Sequence, residues 1–305
     1  GDLGGGLKQM FMMMNEARVG VGLGGAAVAY RGYRLAVDYA RERLQGRDIK
    51  TDNNALVPII EHSDVKRMLL ASKAYSEGSL ALCLYCAKLV DQADDFEAQS
   101  LLGLLTPVAK TFPAEYGLLA NDLAIQIHGG YGYTRDFDVE QLYRDNRLNS
   151  IHEGTSGIQA IDLLGRKIIG DSGKSLDIFI NRVLQTCEIA GKTNLKNSSN
   201  YLIKVINNLQ RVSDKLRKTK SVDTLDNASP FLSGFGHIVV GWIWLDIAII
   251  ALQKKNNSNE NQSFVDGKIA ACRYFFECEL PKSEMLMNFV FNESDVVSSV
   301  KAEIF

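Results

Sequence analysis

Apolar residues recur every three or four positions along nearly the whole chain, and strand-like alternation is almost absent. That spacing predicts an all-α fold. Leu7, Met10, Phe11, Met14, Val21, Val28, Leu35 and Tyr39 mark one face of a long helix, or two nearly collinear ones, from Leu7 to about Leu44. Gly1 to Gly6 reads as a flexible lead-in. Residues 45–62 form a polar connection ending in the apolar stretch Leu56 to Ile60. Ser63 or Asp64 is placed to cap a helix reaching about Gln92. Another helix is predicted from about Asp95 to His128, with Pro107 and Pro113 as candidate breaks and Gly129–Gly130 as its stop. Shorter helices follow over 137–148 and 155–169. The turn-rich Gly170-Asp171-Ser172-Gly173-Lys174 then divides the chain into two units, 1–170 and 171–305. Beyond it, helices are predicted near 174–191, 199–219, 228–254 and 263–280, and Lys254–Gln262, rich in Asn and Ser, reads as a mobile loop.

Two stretches invite misreading. Phe231 to Leu252 is apolar enough for a membrane span, but His237, Asp246 and three glycines inside it favour a buried helix of a bundle. Gly20, Gly22 and Gly25 match the dinucleotide fingerprint G-x-G-x-x-G, yet no strand precedes them and no acidic residue follows at ribose distance. These glycines, with Gly24, Ala26 and Ala27, read as a place where another helix or a ligand comes close. The methionines Met10, Met12, Met13 and Met14 read as core or cleft packing.

Composition narrows the field only a little. The chain has 305 residues, 46% hydrophobic and 23% charged, as in a soluble globular protein, and its net charge of −2 gives no support for a nucleic-acid partner. Five cysteines show no disulfide framework, which fits a reducing, cytoplasmic setting. Cys83-x-x-Cys86 has no second pair and no nearby histidine, so packing thiols rather than metal ligands are expected. The chain opens on Gly1 without a visible signal peptide and reads as a fragment.

Candidate chemistry concentrates in residues 121–159. Glu153 supports two readings. As Ser150-x-x-Glu153 it fits a capping box at a helix start. As a carboxylate followed by Gly154, Thr155 and Ser156, it fits a base beside a close-approach glycine and the hydroxyls and amides of a helix N-terminus. Such a base would work best if desolvation raised its pKa. Gln126, His128, Gly129 and Gly130 fit a helix stop, and equally a polar amide beside exposed backbone suited to a pyrophosphate or ribose. Arg18 and Arg43 are either solvated charges or phosphate grips.

Gln126-Ile-His-Gly-Gly-Tyr-Gly-Tyr-Thr-Arg-Asp, Tyr143-Arg144-Asp145 and Ile151-His-Glu-Gly-Thr-Ser-Gly-Ile-Gln159 together resemble the C-terminal helical domain of acyl-CoA dehydrogenases. The opening Gly-Gly-Gly-Leu-Lys-Gln-Met-Phe and Met14-Asn-Glu-Ala-Arg18 resemble that domain's first helix. Residues 160–167, Ala228-Ser-Pro230, Phe235 to Trp244 and Ala271 to Pro281 resemble a large-subunit branch with an extra C-terminal helical domain. The resemblance implies that a carboxylate removes the α-proton of an acyl-CoA thioester while the β-hydride passes to FAD. Glu153 matches the base. Gln126, Gly129, Gly130, Arg43, His62 and Thr155 match FAD contacts, several of them usually made to a neighbouring subunit's FAD. Asn15, Arg18 and Gly154 match substrate contacts. It further implies a homo-oligomer reoxidised by an electron-transfer flavoprotein, with no metal. His152 departs from the pattern, in which an aromatic tyrosine commonly precedes the base. Two alternatives stand beside this reading: a non-catalytic helical oligomerisation module, and an acyl-CoA oxidase.

Overall fold

Three long helices, α1 (Gly6–Glu42), α2 (Ser63–Val90) and α3 (Phe96–His128), pack against one another, and one candidate site forms where α1 and α3 end and α2 begins. The computed structural model describes residues 1–47, 55–219, 222–255, 261–293 and 295–305. Among the described residues there is no sheet, only an isolated bridge between Leu44 and Pro58, so the all-α expectation holds. The short α4 (Val139–Arg147) and α5 (Ser156–Ile161) follow. α5 continues as a π-helical stretch, Asp162–Ile169. Then come α6 (Lys174–Gly191), α7 (Lys196–Thr219), α8 (Ala228–Lys254), α9 (Gln262–Tyr274) and α10 (Pro281–Phe291).

Several expected boundaries shift. α2 starts at Ser63 with His62 as its N-cap residue and no side-chain cap, because Asp64 pairs instead with Arg67 at 2.8 Å. The expected helix over 263–280 is interrupted by a π-helical turn, Phe275–Glu279, and the chain restarts as α10 with Pro281 at its first position, where a missing N–H costs nothing. Most of the loop expected to be mobile, residues 256–260, lies outside the described residues.

Neither proline breaks α3, which is continuous through Pro107 and Pro113. Pro113 has no N–H to give the Ala109 carbonyl. That carbonyl instead meets the Cys83 thiol, 3.7 Å away, and faces Gly22 of α1 so closely that a Cβ there would lie 1.8 Å from the oxygen. One turn on, a Cβ at Gly25 would lie 3.2 Å from the Pro113 carbonyl; at Gly32 it would meet the Asn121 amide at 2.3 Å. The small-residue pattern is therefore a helix-crossing seam. Gly20 and Gly24 take no part in it: both are exposed with open space around them. Cys83 and Cys86 are buried packing thiols, and burial pushes the Cys83 thiol up to about 12.

One apolar core runs from α2 and α3 through α5 to α8 and on to α10, including residues on both sides of the 170–174 turn. α8 is its spine. This helix is long and apolar enough to cross a membrane by composition, but 78% of its most apolar window is buried inside the protein. Its indoles are anchored, Trp244 Nε1 donating to the Ala74 carbonyl (3.1 Å) and Trp242 Nε1 to Thr186 (2.9 Å). Where α8 meets α2, α3 and the Phe275–Glu279 turn, Glu279 is almost wholly buried. It accepts from Tyr75 (2.8 Å), Lys282 (2.6 Å) and Tyr274 (3.4 Å), with His237 Nε2 at 3.8 Å. Burial alone would push its carboxyl up; the His237, Lys282 and Tyr75 contacts outweigh that and hold it below the ordinary range.

Candidate cofactor cleft and base loop

The end of α1 leads directly into the first site. After Arg43 the chain runs extended, held to residues 57–59 by three backbone bonds: Gln45 N to Val57 O (3.0 Å), Val57 N to Gly46 O (3.2 Å) and Ile59 N to Arg43 O (2.8 Å). Gly46 turns the chain at φ +74, and a Cβ there would lie 2.9 Å from His62 Nε2. His62 in turn holds the Gln45 carbonyl at 2.7 Å. This ladder brings Arg43 and His62 to the C-terminal end of α3.

There they line one cleft of about 340 Å³ with Gln126, Gly129, Tyr39 and His128. Four of the six residues expected at a cofactor thus come together from three separate segments. Gly130 adjoins them, exposed and with open space where a side chain would be. Gly129 adopts φ +62 with the same open space, so its backbone faces outward unobstructed. Gln126 is exposed and its carboxamide makes no hydrogen bond among the described residues. Arg43 is exposed, has no ion pair among the described residues, and lies over the Tyr131 ring at 5.6 Å. The floor is aromatic: Tyr39 stacks on His128 at 4.2 Å. Burial lowers the His128 pKa, against the opposing effect of the Ala124 carbonyl 2.7 Å from Nδ1, so this imidazole is neutral near pH 7.

Thr155 is not in this cleft. It occupies the N-cap position of α5 without a side-chain cap bond and belongs to the second site, the loop carrying Glu153. Here the structure overturns the capping-box reading of Glu153. No capping box forms, because Ser150 ends a 3-10 turn and reaches back toward the Ala114 carbonyl at 3.4 Å, while α5 starts only at Ser156. Nor is the carboxylate buried within this chain; it is exposed and has no hydrogen bond or ion pair among the described residues. What distinguishes it is backbone. Glu153 lies at φ +53 and Gly154 at φ +86, two consecutive left-handed residues that cannot begin a right-handed helix. For a glutamate that conformation costs about 1 kcal/mol. Gly154 is needed for a second reason, since a Cβ on it would lie 2.9 Å from the Gln159 amide nitrogen.

The loop is tied to the bundle through asparagines. Asn149 donates to Asn146 (2.9 Å), Asn146 to Asn121 (2.7 Å), and Asn121 to the Val28 carbonyl on α1 (3.2 Å). Two buried basic side chains differ in their pairing. Arg18 is buried and paired with Asp162 at 2.8 Å, so its charge is already answered within the chain. Asn15, one turn earlier on α1, is half-buried. Lys110 on α3 was not foreseen. It is fully buried and its Nζ has no hydrogen-bond partner among the described residues. Burial lowers its pKa, Glu115 and Glu153 raise it, and Arg18 adds to the lowering. Nothing in its local sequence separates it from an ordinary solvated lysine. No cluster of His, Cys, Asp or Glu suited to a metal occurs among the described residues.

A helical bundle with a cleft lined by Arg43, His62 and Gln126, and a separate carboxylate on a left-handed turn, is the arrangement to set beside known proteins. Residues 4–168 match the family described as "Acyl-CoA dehydrogenase, C-terminal domain", and residues 179–301 match "Acetyl-CoA dehydrogenase C-terminal like". The chain belongs to the acyl-CoA dehydrogenase family. It is similar to 3-methylmercaptopropionyl-CoA dehydrogenase of Ruegeria pomeroyi, 35% identical over 90% of this chain and 48% of the relative. It is also similar to the broad-specificity linear acyl-CoA dehydrogenase FadE5 of Mycobacterium tuberculosis, 32% identical over 92% of this chain and 50% of the relative. The fold is shared with a solved acyl-CoA dehydrogenase complexed with FAD from Bacillus anthracis, at TM-score 0.69 and 19% identity, covering 100% of this chain and 52% of that one. The chain thus spans about half the length of the curated relatives it matches.

Proposed function

We propose that this chain forms the C-terminal part of a FAD-dependent acyl-CoA dehydrogenase, with Glu153 as the base that takes the α-proton of the thioester. The observation that carries the reading is the Glu153–Gly154 turn. It presents a carboxylate that is unpaired among the described residues, in a conformation a glutamate adopts only at a cost. The residues at the other site suit part of a dinucleotide. Arg43 offers a guanidinium with no ion pair among the described residues, Gln126 an amide with no hydrogen bond among them, and Gly129 and Gly130 open backbone over an aromatic floor. FAD, when bound, supplies the hydride acceptor. This chain's part is to hold one end of it, to orient the thioester past Gly154, and to receive a proton on the Glu153 carboxylate. Asn15 and Arg18 act on the substrate side of α1; for Arg18 that means working from its pairing with Asp162 rather than as a free charge.

Exposure of Glu153 is then a property of this half alone, and the region that precedes it in the relatives supplies the desolvation a base of this kind needs. For the same reason the 305-residue chain by itself is expected to hold FAD weakly; stoichiometric flavin on the isolated chain would count against the reading. The functional form is a cytoplasmic homo-oligomer in which a neighbouring subunit's FAD reaches the Arg43–Gln126 cleft, and an electron-transfer flavoprotein reoxidises it. The test is anaerobic titration of the full-length flavoprotein with acyl-CoAs of different chain length. Bleaching of the flavin by at least one supports the reading, and no bleaching by any rejects it. Oxygen uptake at the dye-coupled rate would move the assignment to an acyl-CoA oxidase.

A further inference from the structure

The left-handed turn at Glu153 does not hold itself. Gln159, six residues on and in the first turns of α5, is fully buried. Its amide nitrogen donates to two successive carbonyls, Glu153 O at 3.0 Å and Gly154 O at 3.3 Å. Its backbone N–H donates to the Thr155 carbonyl at 3.0 Å, so one residue engages three consecutive carbonyls of the loop. Its own Oε1 has no partner among the described residues, which leaves the side chain's work on the donor side. A side chain at Gly154 would collide with this amide, so the glycine and the glutamine fit each other.

We infer that Gln159 is a positioning residue for the reaction: it clamps the Glu153–Gly154 turn and thereby fixes where the carboxylate points. The inference rests on Glu153 being the base, as proposed above. The chemistry of the clamp is specific. It needs a donor, because both groups it engages are carbonyl oxygens, and a carboxylate of the same shape offers none. Gln159→Glu therefore sets an acceptor against two acceptors, while Gln159→Met keeps the volume and removes both bonds. Without the clamp the glutamate relaxes towards ordinary φ values, and the carboxylate no longer meets the α-carbon in the productive geometry.

The experiment compares Gln159→Met, Gln159→Glu and Glu153→Gln with the parent in the full-length flavoprotein, by stopped-flow flavin reduction with a saturated acyl-CoA. Both Gln159 variants are expected to keep their FAD and to bind substrate within about threefold of the parent, while the limiting reduction rate falls about 10- to 100-fold. The primary isotope effect from α-deuterated acyl-CoA should rise. A second readout is independent of turnover: amide hydrogen exchange over residues 152–156 should speed up in both variants. Parent-like reduction and parent-like exchange in both would overturn the inference, and so would a loss confined to substrate affinity. If Glu153→Gln reduces flavin as fast as the parent, the base assignment fails instead, whatever the Gln159 variants do to exchange.

Discussion

Two glutamates in this molecule have opposite surroundings. Glu279 is almost wholly buried and holds contacts from Tyr75, Tyr274, Lys282 and His237. Glu153 is exposed, unpaired among the described residues, and fixed through its backbone instead. A carboxylate whose valences are filled stabilises a junction and has nothing left for a ligand. A carboxylate held only by its main chain keeps both oxygens available. The positive φ at Glu153 belongs with that second design, although Ser172 and Glu293 share the conformation in turns that follow a helix, so φ alone does not make a site.

The sharpest way to break the comparison is to neutralise each glutamate. Glu153→Gln in the full-length flavoprotein is expected to lower the rate of flavin reduction about 10²- to 10⁴-fold, with thermal stability unchanged. Glu279→Gln should do the reverse. It leaves Lys282 and the tyrosines around a weaker acceptor and should cost about 3 kcal/mol of stability, read from denaturant unfolding, with the reduction rate retained. If the two substitutions cost stability equally, the distinction drawn here does not hold.

A smaller effect is expected at the α1–α3 seam, which both regions lean on. A Cβ at Gly22 would sit 1.8 Å from the Ala109 carbonyl, so Gly22→Ala should cost about 1–3 kcal/mol by forcing the helices apart. Gly24→Ala, where nothing lies within 4 Å, is the control and should be neutral or slightly stabilising. The smallest effect concerns the cleft floor. Burial lowers the His128 pKa below its ordinary 6.5. The unfolded chain then binds a proton more readily than the folded one. Stability from this residue is present above pH 6.5 and is lost as the pH falls through the lowered value. Replacing His128 by Gln should flatten the acid side of a stability–pH profile; an unchanged slope would show that this imidazole does not contribute.

Much of this was legible in the sequence. The all-α fold followed from apolar spacing, and the burial of α8 from the His237 and Asp246 inside an otherwise membrane-like run. Arg43, His62, Gln126 and Gly129 of the cleft were named from the sequence, but not that Arg43 and His62 meet Gln126, because the ladder that joins them pairs positions more than ten residues apart. The capping-box reading of Glu153 failed because spacing alone cannot reveal the sign of φ. The predicted helix over Asp95–His128 is there, but the candidate breaks at Pro107 and Pro113 are not, since the partners that accommodate Pro113, Gly22 and Cys83, lie on other helices. Gln159 and Lys110 stayed hidden because their roles come from burial, which two unremarkable polar letters do not announce.

The most direct measurement of the central claim is exchange of the α-hydrogen of a saturated acyl-CoA with solvent deuterium, followed anaerobically on the full-length flavoprotein. The parent is expected to wash deuterium into the α-position, and the Glu153→Gln variant, still carrying FAD, is expected to wash in none. Exchange at the parent's rate in that variant would mean that some other group removes the proton.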